Sequence, residues 1–72
     1  SSLLIVDSPE AVPRLSILIY DSAGKLTFRQ RKSKPAGRAI FDLPSQKLSN
    51  GQYFIRVMNE NKVLGKTQFL KL

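Results

Sequence analysis

The chain has 72 residues, no cysteine, no histidine and a formal net charge of +7. That length is enough for one small domain, which buries only about 60% of the surface its unfolded chain exposes and draws modest stability from its core. Without cysteine or histidine there is no disulfide, no thiolate metal site, and neither the commonest catalytic base nor the commonest metal ligand.

The charged fraction of 24% and the hydrophobic fraction of 42% are ordinary for a globular chain. No apolar run approaches the ~18 residues of a transmembrane helix. Ser1 to Glu10 has neither a basic start nor an apolar stretch of signal-peptide length. With no initiator methionine, the chain reads as a piece excised from a longer protein. The excess of positive charge favours anionic partners: nucleic acid, lipopolysaccharide or an acidic protein surface. It serves equally as a solubilising surface.

In chain order, Leu3-Leu4-Ile5-Val6 reads as a short strand that stops at Asp7-Ser8-Pro9. Pro9 and Pro13 bracket a connection expected to lie outside any central strand, because proline has no N–H for the ladder. Leu15 to Tyr20 is the second strand, with Leu15, Ile17 and Ile19 on one face and Ser16, Leu18 and Tyr20 on the other. Asp21-Ser22-Ala23-Gly24-Lys25 is the clearest turn. The Asp21 carboxylate can accept from backbone amides ahead of it, and Gly24 can take the positive φ that closes a bulged hairpin. Leu26 to Gln30 returns as the third strand.

Residues 29–38, "RQRKSKPAGR", hold Arg29, Arg31, Lys32, Lys34 and Arg38 together with Pro35 and Gly37. This stretch is expected to be a solvated loop, or the frayed end of the third strand. Phosphate binding is the alternative reading. Arg38 to Leu43 then forms a short strand with Ala39, Phe41 and Leu43 on one face, stopped by Pro44. Asn50-Gly51 reverses the chain into a strand with Tyr53, Ile55 and Val57 on one face and Phe54, Arg56 and Met58 on the other. Tyr53 is the aromatic best placed to bury its ring while satisfying its hydroxyl. Asn59-Glu60-Asn61-Lys62 turns into a last strand from about Val63 to Leu70, in which Gly65 marks a bulge or a close backbone approach.

About six short strands, with turn signals every 8–12 residues, give an all-β sandwich or small barrel. No site for catalysis, metal or cofactor emerges. Asp7, Asp21 and Glu60 fall in expected turns, where local capping explains them, and no carboxylate pair or glycine-rich phosphate loop is present. The aromatics sit within apolar alternation, which suits core packing better than the stacking platforms of nucleic-acid binders. Nucleic acid is therefore the weakest of the anionic partners.

The order of these pieces resembles the C-terminal sorting domain of type IX secretion cargo. Ile19-Tyr20-Asp21 with Gly24-Lys25 is similar to that family's hairpin. Gly51, Tyr53, Ile55 and Val57 are similar to its G-x-Y-x-[VI]-x-[VI] strand. Lys66, Phe69, Leu70 and Lys71 are similar to its final strand. The chain departs from the pattern at Phe69, where a lysine or small polar residue is common, in lacking an opening Pro-Asn-Pro, and in its long basic stretch.

The resemblance implies a single domain over residues 1–72, a compact immunoglobulin-like antiparallel β-sandwich of about six to seven short strands. It implies an address, not an enzyme: export to the periplasm, then delivery by the outer-membrane translocon to the surface of a Gram-negative cell. There a surface sortase often removes the domain while joining the cargo to anionic lipopolysaccharide. The residues expected to carry the signal are Gly51, Tyr53, Lys62, Lys66, Leu70, Lys71 and Leu72, with Asp21 and Gly24 as the structural turn. A final strand at a sheet edge would suit β-augmentation by a receptor, and equally a dimer through that edge. The alternative is an adhesive or spacer sandwich of a surface protein.

Overall fold

The computed structural model describes residues 2–72. Six strands follow one another: β1 (Ser2–Ser8), β2 (Val12–Asp21), β3 (Leu26–Lys34), β4 (Gly37–Leu43), β5 (Gly51–Asn59) and β6 (Lys62–Lys71), with one 3-10 turn at Ser45–Lys47. All pairings are antiparallel. β1 pairs with β4 in a two-stranded sheet, and the order β3-β2-β5-β6 makes a four-stranded one. The result is the expected all-β sandwich.

Alternation decides which side chains go inside, since successive residues of a strand point to opposite faces. The core joins Leu15, Ile17 and Ile19 of β2 to Tyr53, Ile55 and Val57 of β5, and to Leu4 of β1, Val12 of β2 and Leu43 of β4. Val6, Phe28, Phe41, Leu48 and Phe69 pack around it. Each fully buried Val, Leu or Ile contributes about 1.5–3 kcal/mol, so β2 and β5 at the sheet centre supply most of the stability. The other side of the two-stranded sheet leaves Leu3, Ile5 and Ile40 exposed.

The Asp21 turn forms as its sequence predicts. One Asp21 carboxylate oxygen accepts from the backbone N–H of Ala23 (3.0 Å) and of Lys25 (2.9 Å), and Gly24 takes φ +87°. The bulge falls at Thr27, which the register skips between Ile19↔Phe28 and Tyr20↔Leu26; its hydroxyl donates to the Ile19 carbonyl at 3.0 Å. Near Gly65 the anticipated bulge is also present. Val57 faces Gly65 and Met58 faces Val63, so Leu64 is the extra residue, and a Cβ at Gly65 would meet nothing within 4 Å.

Three expectations are corrected. The basic stretch is strand, not loop: β3 continues to Lys34, opposite Val12, and β4 begins at Gly37. An edge strand tolerates long charged side chains because they keep solvent on one side. Pro13 does lie within a central strand, β2. It sits at the register irregularity between Val12 and Leu15, beyond the point where pairing with β5 starts at Leu15↔Asn59, so no ladder bond is lost. Asp7 lies within β1 rather than in a turn; its carboxylate meets the Arg38 guanidinium across the β1–β4 pair at 3.5 Å.

Candidate functional site

The β5–β6 hairpin and the residue after it hold the residues expected to carry a signal, and burial divides them into two sets. Gly51 opens β5 at φ +152°, a backbone region that favours glycine. Tyr53 is 5% exposed, and its hydroxyl donates to the Ser49 carbonyl at 2.6 Å, which fastens the β4–β5 connection to the start of β5. Its ring stacks on Phe69, its direct cross-strand partner, with centroids 5.3 Å apart and planes 20° from parallel. These groups face the core.

The remaining candidates lie outside. Lys62 is exposed beside the hairpin turn. Lys66 is exposed opposite Arg56, on the face turned away from the core. Leu70 is 60% and Leu72 88% exposed. Lys71 is half-buried opposite Gly51, and its ammonium donates to the Leu72 carbonyl at 3.5 Å. The hairpin thus has a core-facing frame, Gly51 and Tyr53, and a displayed set, Lys62, Lys66, Leu70 and Leu72.

Along β6 runs the site's main chemical resource. β6 pairs only with β5, so one whole side of a ten-residue strand has no ladder partner. Beside it is a groove between β6 and β1, walled by Leu4, Val6, Val57, Gly65 and Thr67. A second recess continues it past Leu43, Ile55 and Phe69. An unpaired strand edge next to an apolar trough is the geometry that accepts an added strand, backbone to backbone, with alternate side chains dropping into the trough. Charged side chains and bulges are features that discourage indiscriminate pairing at a strand edge, and β6 carries Lys62, Lys66, Lys71 and the Leu64 bulge.

The basic stretch reads differently in three dimensions. Lys34 is 1% exposed. Its ammonium donates to the carbonyls of Ser8 (3.1 Å), Glu10 (3.4 Å) and Pro35 (2.7 Å), so this cation clamps the β1–β2 and β3–β4 connections and is closed to any ligand. Arg29 and Arg31 instead stand exposed on the outer side of β3. Two aromatics also leave the core assignment: Tyr20 and Phe54, neighbours on β2 and β5, lie on the outer face, with the Arg56 guanidinium 5.6 Å over the Tyr20 ring. Sequence alternation marked both strands but could not say which strands adjoin. Among the described residues, no three acidic side chains converge as a metal site.

The secretion system C-terminal sorting domain family matches residues 1–71, almost the whole chain. No curated protein and no solved structure matches significantly. The family is a non-catalytic kind, a C-terminal sorting signal for type IX secretion that engages that machinery and directs proteins of Gram-negative bacteria to the cell surface or the medium. The domain described above therefore belongs to the type IX secretion C-terminal sorting domains.

Proposed function

We propose that the signal is the folded domain, read at its last hairpin, and that the outer-membrane translocon adds a strand of its own to the free edge of β6. The observation that carries this reading is the long unpaired side of β6 beside the Leu4–Val57–Thr67 groove. Main-chain pairing supplies affinity, and the groove and the displayed Lys66 and Leu70 supply selectivity. The domain acts after export to the periplasm, and a surface sortase then works on the delivered protein, joining it to lipopolysaccharide. Lys62, Lys71 and Leu72 present the two ends of the hairpin to this machinery, while Gly51 and Tyr53 hold its shape.

The test is a fusion of a periplasmically stable passenger to this domain in a bacterium with a type IX system. Removing Leu70, Lys71 and Leu72 should leave the passenger in the periplasm while the sandwich still folds. Undiminished surface delivery of that truncated fusion would sink the proposal and favour an adhesive or spacer module, whose removal leaves secretion intact.

A further inference from the structure

The outer face of the four-stranded sheet carries Arg29, Arg31 and Arg56, which recognition at the β6 edge does not use, beside Lys66, which belongs to that edge. The register places Arg29, Leu18, Arg56 and Lys66 in one row across β3, β2, β5 and β6. The next row holds Arg31, Ser16, Met58 and Val63. On the other side come Leu26, Tyr20, Phe54 and Gln68. With strands about 4.8 Å apart and same-face neighbours about 6.8 Å apart, four cations share a patch of roughly 15 by 7 Å. No acid lies on it: Asp7, Glu10 and Asp42 are on or beside the two-stranded sheet, and Asp21 and Glu60 sit at hairpin turns. Among the described residues the ion pairs are Arg14–Glu60 and Arg38–Asp7, so the four cations of this face have no counter-charge. Like charges facing each other across strands weaken a sheet. An anionic partner would supply the missing counter-charge.

The chemistry of that partner follows from what surrounds the charges. Ser16, Arg29 and Arg31 border a shallow recess, a hydroxyl and two guanidinium groups that together suit a phosphate. Around the cations lie large exposed apolar side chains, Leu26, Phe54 and Val63. A protein interface has the opposite plan, apolar at its centre and charged at its rim. Single-stranded nucleic acid stacks successive bases on several free aromatic faces, and here Arg56 covers the Tyr20 ring, which leaves Phe54 alone. A bilayer offers phosphates in a plane with acyl chains just beneath, so central cations can meet phosphates while marginal Leu and Phe side chains dip between headgroups. We infer that this face docks the domain on an anionic phospholipid surface, leaving the β6 edge free for the secretion machinery.

The test uses the 72-residue chain and sedimentation with vesicles of phosphatidylcholine, with and without phosphatidylglycerol. Binding should require phosphatidylglycerol. The combined change Arg29→Gln, Arg31→Gln, Arg56→Gln should weaken it about 100-fold, roughly fivefold per arginine. Neutralising Lys25, Lys32 and Lys47, which removes the same charge elsewhere, should weaken it less than about 10-fold. Phe54→Trp should show a blue-shifted emission on the anionic vesicles. Equal losses in the two triple variants, or an unshifted emission, would overturn the proposal. So would tighter binding to a thymidine oligonucleotide that Phe54→Ala abolishes, which would assign the face to nucleic acid. None of these variants alters β6, so their failure leaves the sorting proposal standing.

Discussion

Tyr53 and Phe69 face each other across the β5–β6 pair with their rings stacked at 5.3 Å, and the Tyr53 hydroxyl simultaneously holds the Ser49 carbonyl. One aromatic pair thus joins the edge strand to the core and to the loop that leads into β5. Phe69 packs against the core from the edge strand, through the ring of its cross-strand partner. Phe69→Lys is expected to destabilise the domain by about 2 kcal/mol, less than for a fully buried phenylalanine because Phe69 is half-exposed. A double-mutant cycle of Tyr53→Leu with Phe69→Leu in urea should give a coupling of about 0.5–1.5 kcal/mol. Additive effects would show that the stacking contributes nothing beyond burial.

Lys34 separates structural charge from surface charge within the basic stretch. Lys34→Met fits the hydrocarbon stem but withdraws the donor from the carbonyls of Ser8, Glu10 and Pro35. A buried charged donor with three carbonyl partners makes this loss about 2–3 kcal/mol. Lys32→Met, at an exposed position two residues away, should stay within about 0.5 kcal/mol of the parent. Equal denaturation midpoints for the two variants would refute the clamp.

The contrast shows what a strand pattern can and cannot reveal. Asp21 and Gly24 were legible because their turn is local, every partner lying within four residues. Tyr53, Ile55 and Val57 were legible because alternation alone assigns them to one face. Lys34 was not, because the carbonyls that bury it come partly from residues 24 and 26 positions earlier in the chain. Likewise the row Arg29, Leu18, Arg56 and Lys66 exists only once the sheet order β3-β2-β5-β6 is known. Local hydrogen bonding and alternation are written in consecutive residues; strand adjacency is decided by which apolar faces fit together.

At the Asp21 turn, Asp21→Ala removes the acceptor of two backbone N–H groups and should cost about 1–2 kcal/mol in a thermal or urea melt. Asp21→Asn retains an oxygen in the same place and should cost about half as much or less. If the two variants unfold together, the carboxylate geometry is not what holds the turn.

Glu60 occupies a left-handed backbone conformation, φ +54°, at the β5–β6 turn. Glycine adopts it without the roughly 1 kcal/mol penalty of a side chain. The Arg14–Glu60 pair, 3.9 Å apart and largely exposed on both sides, offers little in compensation. Glu60→Gly is therefore expected to raise the melting temperature by a few degrees, about 0.5 kcal/mol after the added freedom of the unfolded chain is subtracted. A lower melting temperature would mean that the ion pair outweighs the strain.

Substitution of Gly51 or Tyr53 cannot separate what the fold requires from what a receptor reads, because both residues shape the hairpin; proline on β6 can. Along an antiparallel strand, consecutive residues turn their N–H and C=O groups to opposite sides. Of Lys66 and Thr67, one therefore bonds to β5 and the other presents its N–H at the free edge of β6. Proline removes that N–H. One of Lys66→Pro and Thr67→Pro should unfold the hairpin, visible as a large drop in urea midpoint. Its neighbour should keep a near-parent midpoint yet hold a fused passenger in the periplasm, because the edge donor is gone, whereas alanine at the same position, which keeps the N–H, should still deliver its passenger. If the stable proline variant still sends its passenger to the cell surface, strand addition at β6 is not how the signal is read.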